Sequence, residues 1–166
     1  MKIEKLAAVA EIVSSVAIVV TLGYLAIQTR QNTLATQATI RQSILSEDRE
    51  LLLRQMEYPH VSPAMYGVHE YSDQELVELS AWLIAFLKMR ESHWLQYQNG
   101  AIDGTTWNTH VSPVPSVLAS ELSRSLWAKF STNGTFDPEF VRIVNEYVAA
   151  HPYAAPSTLR EGLGFE

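Results

Sequence analysis

The sequence predicts an all-α protein: one N-terminal transmembrane helix continuing into a stalk, followed by a small antiparallel helical bundle. Three observations carry this reading. Residues 12–29 contain no charged side chain, and at about 1.5 Å per residue they nearly match the roughly 30 Å hydrocarbon core of a bilayer. Residues 31–56 contain neither Gly nor Pro, and their apolar residues recur at helical spacing. Beyond them, capping residues and helix stops alternate, and no window shows the period-two alternation of a strand.

The first helix is expected over Ile3 to Glu57. Residues 1–30 form the membrane segment, and 31–150 form the helical domain including its juxtamembrane stalk. A cleaved signal peptide fits less well, because the apolar run is too long and exits into Gln28-Thr29-Arg30-Gln31-Asn32 without an Ala-x-Ala site. A soluble core helix would have to be unusually uniform. Ala10 and Ser14, and then Ala17 and Thr21, stand four apart, and Gly23 follows. Small residues at that spacing let helices approach closely in lipid, so these five are expected to form a helix-packing interface. Glu11 is the one ionisable group near the bilayer, either an interfacial carboxylate or an intramembrane polar contact in an assembly. Lys2 and Lys5 before the span and Arg30 and Arg41 after it leave the orientation undecided.

In the stalk, Leu34, Ala38, Ile44 or Leu45, Leu51 or Leu52, and Met56 form the apolar face. Glu47, Asp48, Arg49, Glu50 and Arg54 form the solvated one, with Glu50 and Arg54 paired. Pro59 and Pro63 end the helix. Ser72-Asp73-Gln74-Glu75 is a capping box opening a second helix that runs to Asn99, with Gly100 as its left-handed stop. Its inner stripe is Leu76, Leu79, Leu83, Phe86, Leu87, Trp94 and Tyr97. A short helix around Thr105 to His110 carries Trp107. A longer one is expected from Ser116 to Phe130, and Asn133-Gly134 marks a turn. Asp137-Pro138 caps and opens a last helix to about Ala149. The tail, 151–166, reads as irregular.

Composition excludes several classes of chemistry. The chain has 166 residues, no cysteine, and 12 Lys+Arg against 18 Asp+Glu, for a net charge of -6. Thiolate metal sites, disulfides and cysteine nucleophiles are ruled out, and an acidic chain lacks the basic surface that nucleic acid demands. There is no Gly-x-Ser-x-Gly elbow, dinucleotide fingerprint or phosphate loop. The histidines at 60, 69, 93, 110 and 151 do not read as a metal site, since none shares one face of a predicted helix with a second ligand. No catalytic residue, metal or cofactor is expected.

Arg90 falls on the inner stripe of the second helix. A buried guanidinium needs a carboxylate or carbonyl partner, and Glu91, Glu121, Glu146 or an acid on the stalk could serve. Arg90 and Glu91 are therefore read as a core or interface ion-pair site. Trp94, Tyr97 and Trp107 could line a pocket around Arg90.

The chain resembles a widespread family of small uncharacterised bacterial single-span inner-membrane proteins. The resemblance rests on the block from Glu11-Ile12-Val13 through Gly23-Tyr24-Leu25 to Gln31-Asn32-Thr33. It continues in Arg90-Glu91, Tyr97, Gly100, Trp107 and Phe136-Asp137-Pro138-Glu139-Phe140. Where similar proteins often have Arg-x-Glu-Asn, this chain reads Arg90-Glu91-Ser92. The resemblance implies a membrane helix followed by a helical domain on the cytoplasmic side, and it carries no activity. The expected function is thus non-enzymatic, acting through assembly as a homo-oligomer or as an accessory subunit of a larger membrane complex. The expected partners are the lipid bilayer and itself or other membrane subunits. The alternative is a membrane-tethered sensor or ligand-binding module with its pocket around Arg90.

Overall fold

The computed structural model describes residues 2–62 and 70–154, with backbone alone at residues 2 and 4–6. Pro63, His69 and the tail from residue 155 lie outside the described residues. The protein is all-α, with no strand among the described residues. Helix α1 is Lys2–Glu57, α2 Asp73–Gln98, α3 Gly104–Val111, α4 Val114–Val117, α5 Glu121–Thr132 and α6 Pro138–Ala150. Two units divide the chain, Met1–Gln42 and Ser43–Glu166, and the boundary falls inside α1.

In the first unit, α1 is long and apolar enough to cross a membrane by length and composition, and none of that apolar window is buried. Ile12, Val16, Val19 and Ile27 are all exposed. Two hydroxyls of the apolar stretch bond within the helix itself. The hydroxyls of Ser15 and Thr21 donate to the carbonyls of Glu11 and Ala17 at 2.9 and 2.8 Å. A hydroxyl bonded one turn back leaves no donor unmet where water is absent.

The second unit is built around α2. The capping box is present: the Ser72 hydroxyl accepts from the Glu75 amide while the Glu75 carboxylate accepts from the Ser72 amide at 2.9 Å. Gly100 ends the helix with φ 71°, a conformation that costs glycine nothing. Leu79, Leu83, Phe86, Leu87 and Trp94 are buried as the stripe requires, but Tyr97 is 39% exposed. On residues 43–57 of α1 the inward positions are Ile44, Glu47, Asp48, Leu51 and Gln55. Their spacing of three and four is one helical face. Ile44 is therefore the buried member of its pair and Leu45 is exposed, while Leu52 and Met56 face outward.

The helix expected from Ser116 to Phe130 is two helices. A single turn, α4, ends at Val117, and α5 restarts behind the N-cap Ser120, whose hydroxyl accepts from the Ser123 amide at 3.1 Å. The cap competes with helix continuation through the same backbone amides, and the Arg124 guanidinium ties to the Ala119 carbonyl in the break. Asp137 caps α6 as the sequence indicates, accepting from the Glu139 amide at 2.8 Å. Phe140 and Val144 of α6 are fully buried, with Phe140 near Trp94 and Phe136. The Trp127 indole donates to Asn145 at 2.8 Å, joining α5 to α6.

Candidate functional site

The chemically notable feature of the second unit is a buried cluster of ionisable groups from three helices. Arg90, 5% exposed on α2, enters the core as its place on the stripe demands. Its Nη1 donates to Asp48 Oδ1 at 2.8 Å, so its partner is an acid of α1 and not Glu91. The guanidinium lies over the Phe86 ring, 4.7 Å from its centroid. The other Asp48 oxygen faces His110 Nδ1 of α3 at 3.0 Å. One carboxylate thus meets groups of α2 and α3 from α1: it accepts a hydrogen bond from Arg90 and lies at ion-pair distance from His110.

His93 completes the cluster and is wholly buried. Its Nδ1 lies 3.4 Å from Arg90 Nη1. A guanidinium only donates, so Nδ1 must accept and the proton of a neutral ring sits on Nε2. That nitrogen faces Glu47 Oε2 at 3.5 Å, close enough for attraction but without hydrogen-bond geometry. Burial, with the Arg90 charge beside it, pushes the His93 pKa down to about 4. The His93 and His110 rings are 4.8 Å apart.

Glu91 does separate work. Its carboxylate takes Lys88 Nζ at 2.6 Å and the Asp137 amide at 2.5 Å, so it anchors the start of α6 to α2. The three aromatic residues expected around Arg90 do not gather there. Trp94 packs toward Phe140, and Tyr97 stacks on Trp107 with ring centroids 6.3 Å apart. Arg90 instead lines a groove of about 360 Å³ with Asp48, Leu51, Trp82, Phe86 and Val117.

In α1, Ala10, Ser14, Ala17, Thr21 and Gly23 are all exposed, as is Glu11. Nothing lies within 4 Å of a methyl placed on Gly23, so a neighbouring helix could approach there. No group of three or more His, Asp or Glu able to hold a metal ion occurs among the described residues.

Sequence reasoning placed Glu47 and Asp48 on a solvated face and saw no partner for His93 or His110. A signal was available. Asp48 stands four residues from Ile44 and three from Leu51, and His93 stands three from Arg90, so each lies on the inward face of its helix. No protein-family model matches this chain, and neither a curated protein nor a solved structure does.

Proposed function

We propose that this is a single-span membrane protein that acts through assembly, as a homo-oligomer or as an accessory subunit of a larger membrane complex, without catalysis. The supporting observation is the first stretch of α1, whose described apolar side chains and small residues are all exposed while the Ser15 and Thr21 hydroxyls are bonded within the helix. Such a surface calls for lipid, and the row Ala10, Ser14, Ala17, Thr21 and Gly23 offers a close-approach seam within it. The juxtamembrane resemblance supports the inner membrane of a bacterium, with the helical domain on the cytoplasmic side. Extraction from native membranes in mild detergent, followed by mass determination of what co-purifies, tests this reading. A complex lost in both Gly23→Leu and Ser14→Leu, with the helical domain still folded, supports it. A purely monomeric protein refutes it.

A second reading, a membrane-tethered sensor or ligand-binding module, is favoured by one observation: a groove of about 360 Å³ lies against Arg90 and Asp48.

A further inference from the structure

Trp82, Phe86 and Arg90 stand at four-residue intervals along α2 and form a ladder. The Trp82 and Phe86 rings stack with centroids 5.5 Å apart and planes 14° from parallel, and the Arg90 guanidinium covers the other end of Phe86. All three line the groove, whose remaining walls include Leu51, Leu52 and Val117. The ladder covers about 12 Å of helix axis. Both polar ends of it are unmet: Arg90 Nε and Trp82 Nε1 are buried and have no hydrogen-bond partner among the described residues. Trp82 is 7% and Arg90 5% exposed. An unpaired buried donor costs about 1–3 kcal/mol, so an acceptor that reached either one would be held, once the side chains that keep both nitrogens from solvent part to admit it.

The charge state of the groove narrows what that acceptor belongs to. The Arg90 charge is already met by Asp48 at 2.8 Å, and Glu47 lies next to Asp48 in α1. A second anion would gain little from Arg90 and would face the Asp48 carboxylate in the groove wall, while a cation would face Arg90. We infer that the groove binds a neutral, elongated, apolar small molecule carrying a carbonyl-type hydrogen-bond acceptor, its body along the Trp82–Phe86 ladder and its acceptor on the Arg90 or Trp82 N–H. The inference rests on the second reading above, that the groove takes a ligand, and adds the ligand's chemical class.

Three probes of one shape separate the class from the site: 4-phenylbutan-2-one, 3-phenylpropanoate and butylbenzene, which share an aromatic body and differ in the acceptor. The full-length chain in lipid nanodiscs, labelled with nitrogen-15 tryptophan, reports through the Trp82 indole N–H, identified by its absence in Trp82→Phe. Calorimetry against empty nanodiscs subtracts partition into lipid. The ketone is expected to move the Trp82 signal saturably and to bind more tightly than either of the others. Loss of one donor in Trp82→Phe should weaken the ketone by about fivefold, and Arg90→Lys, which keeps the charge and removes Nε, should do the same. Carboxylate or hydrocarbon binding at least as well as ketone overturns the class and leaves the site. No probe reaching Trp82 overturns the site itself.

Discussion

Replacing Asp48 with alanine removes the carboxylate that accepts from Arg90 and faces His110, and leaves a guanidinium buried without its counter-charge. The Arg90 side chain is 6% exposed and that of Asp48 26%, so water can repair only part of the loss. Breaking one side of a buried pair costs about 3–5 kcal/mol, and the partial exposure of Asp48 places this variant near 3 kcal/mol. Urea unfolding of the full chain in nanodiscs, followed by tryptophan fluorescence, measures this directly, because Trp82, Trp94, Trp107 and Trp127 are all buried in the second unit. The decisive form is a double-mutant cycle. Asp48→Leu and Arg90→Met should each destabilise strongly, while the double variant should recover much of the loss, since an apolar pair of similar size no longer buries an unmatched charge. The pair has a coupling energy of about 1–3 kcal/mol on this argument. Strict additivity of the two single variants would show that Arg90 and Asp48 do not interact and would refute the description of the cluster.

Three further outcomes follow from the same structure. His93 titrates near pH 4 in the fold against 6.5 unfolded, so the unfolded chain binds the extra proton first. Its stabilising contribution is whole above pH 6.5 and is lost as pH falls toward 4, on the order of 3 kcal/mol; His93→Gln should flatten that part of the stability profile, and an unchanged profile refutes it. Glu91→Ala strands the Asp137 amide and frees Lys88, and should cost about 2 kcal/mol with enhanced amide exchange at the start of α6; exchange spread evenly over the unit would argue against this anchoring role. Ser120→Ala removes the cap of α5 and should cost about 1 kcal/mol by urea unfolding, whereas no loss would mean that the break between α4 and α5 is set by Arg124 instead.

Most of the helix plan was legible in residue order. Ser72 with Glu75, Gly100 and Asp137-Pro138 act through bonds to their own neighbours, so their roles survive whatever the fold does around them. The apolar run in α1 is equally local, because its length and lack of charge are properties of consecutive residues. The break at Ser120 was missed although its signal was local, since apolar periodicity in the same stretch spoke for continuation and the cap decided against it.

The cluster around Arg90 belongs to the tertiary structure. By itself the sequence determined that a guanidinium on the inner stripe of α2 must find an acid, and that α1 carries an exposed apolar length. Which acid, and what else meets it, depended on the rotation of residues 43–57 about their own axis. That rotation buries Ile44 rather than Leu45, and in doing so turns Asp48 inward to Arg90 and His110, residues 42 and 62 positions away in the chain. Helical spacing allowed either leucine-type neighbour to face the core. Only the packing of three helices against one another chose between them, and the buried charges followed from that choice.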